Sequence, residues 1–337
     1  MRQGFRLALF FALSLGLAPA LAQDFRLQAP VDCRNGVDCF VQNYVDVAPG
    51  PEANDFTCGS LSYDGHTGTD IRIATRAEMA AGVGVLAAAP GRVIHSRDGM
   101  PDAGLAGTPE GATETRACGN GVWLAHGGGW VTQYCHMKLG TIAVKRGDEV
   151  AAGQKLGEIG YSGRTQFPHL HLNLLHDREI VDPYTGRKMG AGCGGGSGSL
   201  WSPEAAERLG YRRSALLMAG FADREPDREA VEAGGFRGTE VDGRAPMLVF
   251  WIEVFGLRRG DVEDLRLAAP DGTVLAQMTG EPLERHRAVQ FRYIGKRRGS
   301  LPWTVGPYTG EYRLLRAEGE GRPPVEVLRT VRTLQLR

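Results

Sequence analysis

This sequence has no surplus of charge, with 39 lysines and arginines against 39 aspartates and glutamates. Binding to nucleic acid phosphates needs a cationic excess or stripe, so the balance argues against that partner class. Long apolar runs are scarce too. Residues 7–18 form one, and no other stretch approaches the ~20 residues of a membrane-spanning helix, so stable membrane insertion of the mature chain is not expected. No C-x-x-C pair occurs, which leaves a zinc-ribbon reading little support. Beyond Cys193 there is no cysteine and one histidine, His286, which lies between Arg285 and Arg287 and reads as a solvated surface residue.

What is present points to export. Arg2 and Arg6 precede the apolar run, and Ala20-Leu21-Ala22 precedes the polar Gln23 and Asp24. That is the order of a secretory signal peptide, residues 1–22, with cleavage expected after Ala22. Gln23 follows the cut, so a lipid anchor on cysteine is not indicated. In an exported chain, Cys33, Cys39, Cys58, Cys118, Cys135 and Cys193 read as three disulfides. Two strand-like runs flank His126 and Gly127 to Gly129 as a hairpin, and Cys118 and Cys135 lie near mirror positions about its turn. They are the first pair expected. Cys33 and Cys39, separated by a short loop with Gly36, are the second.

At about 100 to 200 residues per domain, 337 residues suggest two domains. Glycine, at 48 residues, implies linkers or many tight turns between short strands. Residues 23–57 read as an N-terminal strap. Residues 190–234 read as a glycine-rich loop followed by a helix that starts at Ser202-Pro203-Glu204 and runs to Met218. Residues 235–337 read as a small β-sandwich, with a nearly continuous apolar run at 247–255 and a Pro270-Asp271-Gly272 turn. Val289, Phe291 and Tyr293 alternate with polar residues there, and further strand-like stretches lie at 325–328 and 330–336.

Seven of the eight histidines fall between 66 and 176. Strand side chains alternate, so His169, His171 and Asn173 face one side while Leu170, Leu172 and Leu174 face the other. His66 and Asp70 add a nitrogen and an oxygen donor of the kind zinc accepts. By the same alternation, if Tyr134 and His136 face a groove, Cys135 faces away, and a Cys118 to Cys135 bond would fasten the strand from behind. A thiolate ligand at Cys135 would need the opposite parity. His95, His126 and His176 read as strand-end, turn and exposed residues. Tyr63, Tyr161 and Phe167, next to the motifs, are candidates to line the groove.

The ordered set His66-x-Gly-x-Asp70, Tyr134-x-His136 and His169-x-His171 resembles the lysostaphin/LytM-type zinc metallopeptidases, peptidoglycan endopeptidases of the duplicated-hybrid-motif fold. Residues 144–157 and Gly160 to Gly163 carry further similarity. The resemblance implies a mainly β fold: an antiparallel sheet with a groove at 58–189, followed by the small β-sandwich. It also implies one Zn2+ per chain on His66, Asp70 and His171. His136 and His169 match the family's two non-ligand histidines and would handle protons, with His169 the favoured base. Asn173 stands where relatives often have Glu, and 74–83 is longer than the usual link.

With an oxidising compartment, these features imply a periplasmic or secreted metalloendopeptidase that cuts the peptide cross-links of peptidoglycan, specifically a D,D-endopeptidase. The alternative is a catalytically silent relative that activates other wall hydrolases. The C-terminal unit reads as an accessory for a cell-wall or divisome partner.

Overall fold

The computed structural model describes residues 25–108, 111, 113–196, 198–236, 241–317, 319 and 322–336. The expected signal peptide, 1–22, lies outside them. Strands of the first half are β1 (Phe40–Asn43), β2 (Thr69–Arg72), β3 (Gly84–Leu86), β4 (Gly91–Arg97), β5 (Asn120–Gly127), β6 (Trp130–Met137), β7 (Glu149–Val150), β8 (Lys155–Glu158), β9 (His169–His176) and β10 (Glu179–Ile180). An antiparallel sheet runs in the order β1-β2-β9-β6-β5-β4-β7, with β10 paired to β9 and a separate β3-β8 ribbon. No helix among the described residues is long and apolar enough to cross a membrane.

Alternation along β9 decides what the sheet does. Leu170, Leu172 and Leu174 are fully buried with Ile71, Val122, Leu124, Tyr134, Val85 and Leu156. Each such side chain contributes roughly 1.5–3 kcal/mol of burial, which fixes the register of β9. Its other residues must then face the opposite side. Asp70 lies opposite His171 and Arg72 opposite His169, while on the other flank Cys135 lies opposite His171 and Gln133 opposite Asn173. Residues directly across a ladder share a face, so one face is apolar core and the other collects carboxylate, imidazole, amide and sulfur.

The second half is a sandwich. One sheet is β11 (Ala215–Ala222), β12 (Met247–Leu257) and β15 (Arg287–Arg297), in that order. The other runs β14 (Val274–Thr279), β13 (Val262–Ala268), β16 (Gly306–Arg316), β17 (Val325–Leu336). The apolar run of β12 has a simple cause: both of its faces are buried. Leu248, Phe250, Ile252 and Val254 fill the sandwich, while Val249, Trp251 and Phe255 join the core of the first half.

Three expectations are corrected here. The helix beginning at Ser202, α3 in a series that opens with α1 (Arg76–Ala81) and α2 (Glu114–Cys118), is Pro203–Arg208 and stops there. Ala215–Ala222 is a strand paired along β12, so the sandwich starts well before 235; a last short helix, α4 (Arg228–Glu232), follows β11 and buries Val231 in the core of the first half. Helix-favouring Ala, Leu and Met in β11 were overridden by pairing with a strand buried on both faces. Of the expected N-terminal strap, the described residues 25–57 are packed into the first half. β1 is the outer strand of the main sheet, and Leu27, Val31 and Tyr44 are fully buried in its core.

Candidate metal centre

His66, Asp70 and His171 each offer a ligand atom, and those atoms lie within 4.8 Å of one another. His66 Nε2 is 3.2 Å from Asp70 Oδ1 and 3.3 Å from His171 Nδ1, which is itself 2.8 Å from Asp70 Oδ1. The remaining ring nitrogens are committed. His66 Nδ1–H donates to the Tyr44 carbonyl at 2.7 Å, and His171 Nε2–H donates to Asn173 Oδ1 at 2.8 Å. These bonds fix both tautomers so that the two free lone pairs point at Asp70, the arrangement metal-binding histidines use. Asn173 is itself anchored, its amide donating to Gln133 Oε1 at 2.9 Å. Two imidazole nitrogens and one carboxylate oxygen with outer hydrogen bonds suit zinc, and three ligands leave a coordination position open.

Electrostatics at the site are set by burial and by the Asp70 carboxylate among the rings. Burial pushes the Asp70 carboxyl up, but the fields of His66 and His169 and bonds from His169 and His171 hold it well below the usual carboxylate range. Burial depresses His66, yet Asp70 outweighs it and the net shift is upward. For His171 burial wins over Asp70 and the shift is downward.

Gly68, inside the first motif, is required by space. A Cβ there would lie 2.7 Å from the His171 ring and 2.8 Å from Asn173 Oδ1.

His136 reaches the groove by a different route from the one alternation suggests. Tyr134 is in the core, its hydroxyl donating nothing to the groove but accepting from Ala88 N at 2.8 Å. Cys135, across from His171, is on the polar face, so the expected parity is reversed. The cause is a bulge: Asn120 pairs with Met137 and Val122 with Tyr134, leaving Gly121 to oppose both Cys135 and His136. His136 takes φ +61°, which turns its ring out of the core toward the site. Its Nδ1–H donates to the Ser162 carbonyl at 2.8 Å, and its ring is 4.6 Å from that of His169. Burial, with the nearby His169 and His171, depresses His136 well below the ordinary imidazole value, so it is neutral at pH 7. His169 Nδ1–H is held by the Phe167 carbonyl at 2.9 Å, leaving Nε2 3.4 Å from Asp70 Oδ1.

The groove above these residues encloses about 980 Å³ and is lined by Tyr63, Gln133, Arg164, Phe167 and, from the sandwich, Ala288. Tyr161 does not line it; its ring packs on Gly104. Cys118 and Cys135 are bonded to each other and line the groove, the reverse of fastening from behind. Cys33 is bonded to Cys39 and Cys58 to Cys193.

The other histidines stay out of the site. His126 bonds Pro90 O and Thr132, His176 stacks on Trp130, His95 packs on Trp123, and His286 is exposed. Sequence reasoning missed Ser162, Gln133, Arg164 and Ala288. Of these only Ser162 carried a signal, its place in Gly160 to Gly163.

Residues 64–183 match Peptidase family M23. Among curated proteins, the chain is 44% identical over 57 residues to the peptidoglycan DD-endopeptidase ShyA of Vibrio cholerae, covering 17% of this chain and 13% of that protein. It is 35% identical over 79 residues to ShyC, a DD-endopeptidase of the same organism, covering 23% and 18%. The matches span less than a fifth of these relatives' length. A zinc-containing peptidase of Vibrio cholerae is a similar solved structure, at 25% identity and TM-score 0.32, covering 47% of this chain and 39% of that one. The segment that carries all five motif residues is thus a peptidase family M23 domain.

Proposed function

We propose that this protein is a zinc-dependent metalloendopeptidase that hydrolyses the peptide cross-links of bacterial peptidoglycan, acting as a D,D-endopeptidase. The observation that carries the reading is the convergence of His66 Nε2, Asp70 Oδ1 and His171 Nδ1, with the opposite nitrogen of each histidine already bonded. A zinc ion held by these three residues supplies Lewis acidity toward a peptide carbonyl and a nucleophile available at neutral pH. Relatives matched over part of their length are named as peptidoglycan DD-endopeptidases, which supports the substrate class.

The chain's own groups provide the rest. His136 is neutral with Nδ1–H fixed on Ser162, so its Nε2 is free to accept a proton. His169, with Nδ1–H fixed on Phe167, presents Nε2 beside the carboxylate of Asp70, where it can hold and return a proton to the leaving amine. Burial of both rings keeps bulk water away from the transferred protons.

Three disulfides suit an oxidising compartment, in keeping with a periplasmic or secreted enzyme that leaves its signal peptide after Ala22. Digestion of purified sacculi with the mature protein, with and without chelator, followed by mass analysis of the products, tests the reading. Release of peptides cut at the D-alanyl cross-link, blocked by chelator and restored by zinc, is expected. Zinc binding without peptide release would instead favour the regulator of other hydrolases.

A further inference from the structure

Arg72 is a charged residue on the polar face of the sheet that hydrolysis as described does not use. β2 places it directly across from His169, two residues along from the Asp70 and His171 pair. Its side chain is almost wholly buried, donates to Gln42 Oε1 at 2.8 Å, and lies with the guanidinium carbon 4.5 Å from the centroid of the Phe167 ring. A guanidinium over an aromatic face is attracted by the ring quadrupole, and more strongly where water is excluded. Phe167 in turn lies 4.7 Å, ring to ring, from His169 and accepts the His169 Nδ1–H on its carbonyl. Arg72, Phe167 and His169 are therefore one continuous chain of contacts.

A buried cation needs an opposing charge. Glu253 lies on β12 between Trp251 and Phe255, in the set of residues that faces the first half. It has no exposure, and neither of its carboxylate oxygens accepts a hydrogen bond among the described residues. Arg228 Nε approaches Glu253 Oε1 at 3.4 Å from the partly exposed side. Burial disfavours the Arg72 charge, and the field of Glu253 works against that cost. A carboxylate buried without hydrogen bonds is costly: burial pushes the Glu253 carboxyl up, and the fields of Arg72 and Arg228 oppose that.

We propose that Arg72 is a positioning residue for His169, acting through the Phe167 ring and carbonyl, and that Glu253 of the β-sandwich holds the Arg72 guanidinium in place. The C-terminal unit is then a structural part of the active site rather than a detachable accessory. The kinetic arm of the test rests on the hydrolase reading; the spectroscopic arm does not.

The test uses the full mature chain loaded with zinc, as wild type, Arg72→Met, Arg72→Lys and Glu253→Gln. Solvent exchange of the His169 Nδ1–H is followed by proton–nitrogen NMR, alongside kcat and KM on cross-linked wall peptides. Arg72→Met and Glu253→Gln are expected to speed that exchange about tenfold. They should lower kcat by about tenfold or more while KM stays within about twofold and zinc content is unchanged. Arg72→Lys, which keeps the cation, should recover most of the exchange protection. Wild-type exchange and wild-type kcat in Arg72→Met would overturn the proposal. If Arg72→Met fails to fold, Glu253→Gln is judged by the same two readouts. Should wild type release no peptide while the exchange responds as expected, the hydrolase reading fails and the positioning role stands.

Discussion

The two halves of this molecule both bury charged and polar groups, but they do so in opposite ways. In the sandwich two buried charges are closed off by partners of their own. Arg316 makes a two-point pair with Asp261, at 2.8 and 2.7 Å, and Glu263 is met by Arg292 at 3.1 Å and the Tyr312 hydroxyl. In the sheet of the first half the outer bonds of His66, His171, His136 and His169 are all satisfied, yet one nitrogen of each ring is left facing common space. Burial of polarity alone therefore does not mark a site. Lone pairs left over after every structural bond has been made, and aimed at one point, do.

If that distinction is right, removing a group on the two sides has different consequences. His66→Ala should abolish zinc binding and hydrolysis together while leaving the melting transition nearly in place; full activity by peptide release would sink the metal assignment. Arg316→Met should do the reverse. Stranding Asp261 without its partner should cost about 3–5 kcal/mol in a denaturant titration, with zinc stoichiometry unchanged. A loss of zinc at temperatures where the variant is still folded would erase the contrast.

Asp182 tests the cost of buried polarity in the first half. Burial pushes its carboxyl up to about 6, although Thr185 and backbone groups bond to it. A raised acid favours the protonated form in the fold, so its stabilising contribution is full below pH about 4 and is lost as pH rises to about 6. The shift corresponds to about 3 kcal/mol. Asp182→Asn removes that titration, so its stability relative to wild type should improve across this window; a difference that stays constant from pH 4 to pH 7 would contradict it. The smallest effect is expected at Gly68→Ala. Crowding His171 and Asn173 should weaken zinc binding about 10–100-fold in a competition titration and leave the fold intact.

Local pattern carried much of the site. Alternation in β9 sorts leucines from imidazoles, and the leucines are heavy enough to enforce that choice. Cys118 with Cys135 was readable because a hairpin reflects its ends about the turn. Alternation failed at Cys135, because one extra residue opposite Gly121 and the positive φ of His136 reset the parity, and a bulge leaves no sure trace in a single sequence. β11 was misread because its composition favours a helix, while its pairing with β12 is a long-range fact. In β16, Tyr308, Tyr312 and Leu314 keep the two-residue period of a half-buried strand.

By itself, then, the sequence determined the donor types, their order along the chain, and the face on which β9 presents its histidines, since these depend on chemistry and on strand periodicity. Only the tertiary structure decided that His136 swings into the groove while Tyr134 does not, and that Arg72, across from His169, lies buried over the Phe167 ring. Those outcomes depend on a bulge and on a contact between residues 95 positions apart in sequence, and neither is encoded in any local pattern.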